Sequence, residues 1–110
     1  INTMKLMTDA QRTRLIKHHK TNSTLGGIND YIPVIKLFAG GSATWLLTEF
    51  DPDTLMFFGL CDLGYGSPEL GYVDLNSLQV VKAERDMYFS PDKTIGGYAT
   101  AARNANRIEA

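Results

Sequence analysis

Residues 33–73, PVIKLFAGGSATWLLTEFDPDTLMFFGLCDLGYGSPELGYV, decide the fold. Three runs rich in β-branched and aromatic residues stand out: Pro33 to Ala39, Ala43 to Phe50 and Leu55 to Leu63, each ending in turn chemistry. The connections Gly40-Gly41 and Asp51-Pro52-Asp53 are too short for a crossover, so neighbouring strands are expected to pair antiparallel as a meander. Gly64-Tyr65-Gly66-Ser67-Pro68 is the next break, and Glu69 to Val73 reads as a fourth strand. Asp74 is placed to cap a helical turn from Asn76 to Val80, and Glu84 to Phe89 alternates as a fifth strand would.

Helical signals flank this block. Thr8 and Gln11 form the T-x-x-Q pattern of a capping box, which predicts a helix to about Lys20 with Leu15 and Ile16 on a thin apolar edge. From Thr21 to Asp30 the composition turns to Asn, Ser, Thr and Gly and predicts a loop. Near the C-terminus Ile95, Tyr98, Ala102, Ala105 and Ile108 form an apolar stripe over residues 94–108, although Gly96-Gly97 weakens the first turn and favours a start at Tyr98. The expected class is α+β: an antiparallel sheet of four or five strands, with an N-terminal helix at one edge and a C-terminal helix packed on one face.

The 110 residues, 44% hydrophobic and 21% charged, suit one domain with its own core. Ile1, Asn2 and Thr3 precede Met4-Lys5-Leu6, which reads as a natural start, so the domain is expected to span 4–110 with the first three residues foreign to it. Cys61 is the only cysteine, so no internal disulfide can form and a reducing cytoplasm is the expected setting. No apolar stretch is long enough to span a bilayer, and no membrane partner is expected.

Charge is unevenly placed. Residues 1–20 hold Lys5, Arg12, Arg14, Lys17 and Lys20 against Asp9, whereas residues 41–80 hold Glu49, Asp51, Asp53, Asp62, Glu69 and Asp74 and no Lys or Arg. The acidic block raises the possibility of a hard-cation site built from Glu49, Asp51, Asp53 and Asp62, since metal-assisted phosphodiester hydrolysis needs carboxylates converging on one ion. Asp51-Pro52-Asp53 is equally a turn sequence with no Lys or His base nearby, and the turn reading is preferred; no metal and no cofactor are expected. Adjacent His18 and His19 point about 100° apart on a helix and cannot share an ion, so they are assigned to an exposed helix end. Cys61, inside an apolar run with no histidine near it in sequence, reads as a buried structural thiol.

Gly64-Tyr65-Gly66-Ser67 lacks the lysine of a phosphate-binding loop and is read as a turn. Trp45 with Phe38, Phe57, Phe58 and Tyr72 could stack nucleobases, but the surrounding carboxylates would repel phosphates and core packing is preferred. Arg12, Arg14 and Lys17 on the first helix, with Arg103 and Arg107 on the last, form the candidate nucleic-acid surface.

Val34 to Phe38, Ala43 to Pro52, Phe58 to Gly64, Pro68 to Val73 and Glu84 to Phe89, preceded by Met4-Lys5-Leu6-Met7-Thr8, together resemble the bacterial family catalogued as domain of unknown function 2958. The resemblance implies a small single-domain protein of the kind often carried on plasmids and other mobile DNA, and it brings no catalytic residues. With no complete catalytic set beside a concentrated charge, the expected function is an accessory protein that binds another macromolecule, a protein before nucleic acid, through Glu49, Asp51, Asp62, Glu69 and Tyr72. The alternatives are a metal-dependent phosphodiester hydrolase using Glu49, Asp51 and Asp62, and DNA binding by the basic helices.

Overall fold

A computed structural model describes residues 6–26 and 29–110. The proposed start at Met4 lies outside the described residues. In chain order the elements are α1 (Asp9–Leu25), β1 (Ile35–Ala39), β2 (Ala43–Asp51), β3 (Met56–Asp62), β4 (Glu69–Asp74), α2 (Leu75–Val80), β5 (Glu84–Arg85) and α3 (Ile95–Ala105). The strands form one antiparallel sheet in the order β4-β3-β2-β1-β5. The expected α+β class is the observed one: β1 to β4 form the meander, and β5 returns to the far edge beside β1.

The sheet is covered on both faces, which explains why β2 buries Trp45, Leu46 and Leu47 in succession instead of alternating. On one face Ile35, Leu37, Trp45, Leu47, Phe50 and Phe57 pack with Leu6, Met7 and Leu15 and with Leu75 and Leu78 of α2. On the other, Leu46 and Leu60 meet Ile95, Tyr98, Ala99 and Ala102 of α3. The small residues Ala99 and Ala102 let α3 lie close to the strands. Its cluster takes in Leu46 and Leu60 but not Glu49, Met56, Phe58 or Tyr72, which lie toward the other end of the same face.

Three element boundaries differ from the sequence expectation. The capping box forms as predicted, with Thr8 Oγ1 accepting from Gln11 N at 3.1 Å and Gln11 Oε1 from Thr8 N at 2.8 Å. The helix it starts continues past Lys20 through Leu25 and stops at Gly26, whose φ of 74° suits a left-handed cap. Within it the hydroxyls of Thr13, Thr21 and Thr24 are satisfied by donating to carbonyls four residues back. α1 also lies against β2 and not merely at a sheet edge.

The fifth strand pairs with β1 through Glu84 and Arg85 only, not to Phe89. Asp86 ends it, since its Oδ1 accepts from Tyr88 N at 2.9 Å and turns the chain away.

The last helix begins at Ile95, not Tyr98, and ends at Ala105 with Asn106 in the left-handed conformation. Asp30 offsets the glycine pair: its Oδ1 accepts from Gly96 N and its Oδ2 from the Thr94 hydroxyl, each at 2.8 Å, while Thr94 Oγ1 accepts from Gly97 N. A Cβ at Gly96 would stand 2.8 Å from Asp30 Oδ2, so the glycine is what lets the carboxylate approach. Asp30→Ala is therefore expected to lower stability by about 1 kcal/mol through lost capping, read from urea denaturation. An unchanged midpoint would contradict this role.

Candidate functional site

β2 runs beyond the end of β1, and the C-terminal half of α1 packs along the strand there. The carbonyl of Thr48 lies 2.9 Å from His18 Nδ1. A carbonyl can only accept, so that nitrogen carries the hydrogen. The His18 ring stacks on Tyr31 with centroids 3.8 Å apart and planes within 5°. One position on, His19 Nε2 lies 3.5 Å from Asp51 Oδ2. The two histidines thus serve different partners, as their helical spacing requires, but they are half-buried anchors and not the exposed helix end expected from sequence.

A bulge at Thr48 shifts the β2–β3 register between Leu47 and Glu49, so that Glu49 pairs with Phe58 and Asp51 with Met56. Glu49 and Asp51 consequently share the face of Met56, Phe58 and Tyr72. Glu49 Oε2 accepts from Asn22 Nδ2 at 2.8 Å, and the buried Asn22 is further held by the backbone of Asn29. Asp51 Oδ1 accepts from Asp53 N at 2.9 Å. That hydrogen bond holds the Asp51 carboxyl below the usual carboxylate range; burial opposes the shift, while Thr54 and His19 add to it. The carboxylate keeps its charge as pH falls through mildly acidic values and loses it only below the ordinary aspartate range.

Phe58 and Tyr72 meet edge to face with centroids 5.1 Å apart, and Tyr72 is 71% exposed. Together these residues line an open groove of about 540 Å³, with His19, Asn22, Ser23 and Gly26 on the α1 side and Glu49, Asp51, Thr54, Met56, Phe58 and Tyr72 on the sheet side. The lining sets two hydrogen-bonded carboxylates beside two aromatic rings and contains no lysine or arginine.

Three of the five residues singled out from the acidic block, Glu49, Asp51 and Tyr72, are brought together here. The other two lie at the far end of the sheet, where Asp62 pairs with Thr44 and Glu69 with Cys61. Asp62 is 3% exposed, and its two oxygens accept from Gly64 N at 2.8 Å and Ile108 N at 2.9 Å, tying the β3 turn to the chain after α3. The Glu49, Asp51 and Asp62 carboxylates therefore do not converge. Among the described residues no group of three or more His, Cys, Asp or Glu side chains is arranged to hold a metal ion.

The aromatic residues divide between the two faces. Trp45 and Phe57 are buried under α1, Phe58 and Tyr72 face the groove, and Phe38 is partly exposed on β1. Cys61 is half-buried, and burial pushes its thiol up to about 11, which keeps it protonated at neutral pH. Arg12, Arg14 and Lys17 are exposed on α1, with the Arg12 guanidinium 5.8 Å from the Phe50 ring centroid. Arg103 and Arg107 are exposed on and just after α3, and the latter pairs with Glu109 at 3.6 Å. Because α1 and α3 cover opposite faces of the sheet, the two basic sets are separated by it.

On the sequence reading His19 is weighed only as a metal ligand, and Asn22 and Ser23 fall in the expected loop. Had Gly26 been recognised as a helix cap, their spacing at i, i+3, i+4 and i+7 with Gly26 would have placed them on one helix face.

The family described as "Protein of unknown function (DUF2958)" matches residues 6–109, from just before the capping box to the segment after α3. The chain belongs to the DUF2958 family. No curated protein and no solved structure matches it. The DUF2958 match spans the groove, its α1 rim and all five strands, so the site belongs to the family domain and not to an appended segment. No helix among the described residues is long and apolar enough to cross a membrane.

Proposed function

We propose that this DUF2958 protein is a non-enzymatic binding module that takes a basic segment of a protein partner in the groove between α1 and the β2–β3–β4 surface. The observation that carries the proposal is the half of the sheet face that α3 leaves bare, where Glu49 and Asp51 stand beside Phe58 and Tyr72. An arginine or lysine entering there would pair with carboxylates and stack on an aromatic ring, and the rim hydrogen bonds from Asn22 and Asp53 hold both carboxylates in place beforehand. Asp62 and Glu69, at the far end of the sheet, drop out of the contact set. The biological setting we propose is the cytoplasm of a bacterium carrying mobile DNA, supported by the resemblance noted above and by a lone cysteine with no disulfide partner.

Affinity capture from a lysate of the source cells tests this with paired variants. Glu49→Gln combined with Asp51→Asn removes two charges while keeping an oxygen for Asn22 and for the Asp53 amide. The pair is expected to weaken capture of the partner by tenfold or more, about 1.4 kcal/mol. Arg14→Glu with Arg103→Glu is expected to leave capture unchanged. Equal capture by wild type and the groove variant, or loss only with the arginine variant, would refute the proposal.

A further inference from the structure

β4 is the end strand of the sheet. It pairs with β3 in unbroken register from Met56↔Asp74 to Cys61↔Glu69, and among the described residues no strand lies beyond it. Over six residues, Glu-Leu-Gly-Tyr-Val-Asp, it carries no lysine, proline or bulge, the devices that usually close an exposed edge. Leu70 and Tyr72 project from it on the groove face and are 38% and 71% exposed. An edge of this kind can accept another strand through main-chain hydrogen bonds.

We infer that the outer edge of β4 receives an extended, basic segment of the partner as a sixth strand, with alternate side chains of that segment delivered to the groove beside Tyr72. The sign of the partner's charge rests on the groove reading above; the strand addition rests on the edge itself. Charge selects this occupant over a second copy of the chain. A second β4 would bring a further Glu69 and Asp74 and no cation to this edge. A basic strand meets the same carboxylates with opposite sign and places a cation over the exposed Tyr72 ring.

The probe is a synthetic peptide of β4's length that alternates lysine and valine, compared with its glutamate counterpart and with a version N-methylated along one backbone edge. The lysine peptide is expected to bind, to shift the amide resonances of residues 69–74, and to slow their hydrogen exchange by about tenfold or more. N-methylation is expected to weaken binding by at least tenfold, and the glutamate peptide is expected not to bind. Equal binding by the N-methylated peptide, resonance shifts confined to other residues, or no binding up to about 1 mM would overturn the inference.

The groove variant separates the two proposals. If Glu49→Gln with Asp51→Asn abolishes binding while N-methylation does not, the groove stands and the added strand falls. If N-methylation abolishes binding while the groove variant binds like wild type, the strand addition stands and the groove reading falls.

Discussion

Gly59→Ala is expected to destabilise the protein by about 3 kcal/mol or more, a large part of the stability of a domain this size. Gly59 sits in the middle of β3, paired with Leu47 on one side and Gly71 on the other. The β2 backbone lies close over it just before the bulge at Thr48: an added Cβ would collide with the Leu46 carbonyl oxygen and stand 2.8 Å from Leu47 Cα. These are main-chain atoms of the central strand, so no side-chain rotation can relieve the contact. Either the bulge is lost or the strands separate. Loss of the bulge would shift Glu49 and Asp51 to the opposite face, since a one-residue slip inverts every side chain beyond it. Gly71→Ala is the matched control. It lies in register on β4 with nothing within 4 Å of the added Cβ, and is expected to change stability by less than about 1 kcal/mol. Chemical denaturation of the two variants side by side checks this, and similar losses for both would contradict it.

Asp62→Ala is expected to cost about 3 kcal/mol. The carboxylate is buried and ties two backbone amides, Gly64 N and Ile108 N, that belong to segments far apart in sequence. Removing it leaves both donors short of a partner, and hydrogen bonds to a charged acceptor are the stronger kind. Asp62→Asn keeps one acceptor oxygen and turns an NH₂ toward the other amide, so its loss is expected to be smaller, about 1–2 kcal/mol. Denaturation midpoints give the order Ala, Asn, wild type. A group serving metal chemistry would behave differently, with binding lost and stability kept in the Asn variant. Full stability of Asp62→Asn would contradict the structural role.

The strand block was legible because each run is bounded by Gly or Asp-Pro-Asp chemistry and the connections are too short for anything but hairpins. Features local in sequence are legible there; those set by contacts across the fold are not. The polar stretch after Lys20 has no apolar stripe, yet it is helical and docked through Asn22, which is gripped by Glu49, a partner 27 positions away. The first turn of α3 survives its glycine pair through Asp30, 66 positions upstream of Gly96. Glu49 and Asp51 are separable from Asp62 only through the antiparallel register, which sets Asp51 opposite the start of β3 while Asp62 stands at its end. Tyr72 joins them through β4's pairing with Phe58, a contact that no spacing in the sequence displays.

The groove accordingly owes its carboxylates to one strand, its aromatic wall to two others and its rim to the last turns of α1, whose end the sequence marks only by Gly26. The most direct test of its role is to place a photo-crosslinking phenylalanine derivative at position 72 of the full chain, irradiate living source cells, and compare the adducts with those from the same group at positions 14 and 103. A protein adduct at position 72, lost in the Glu49→Gln, Asp51→Asn background and absent from positions 14 and 103, is the predicted result. No protein adduct at position 72, or adducts formed equally at position 14 or 103, would contradict a partner-binding groove on this face.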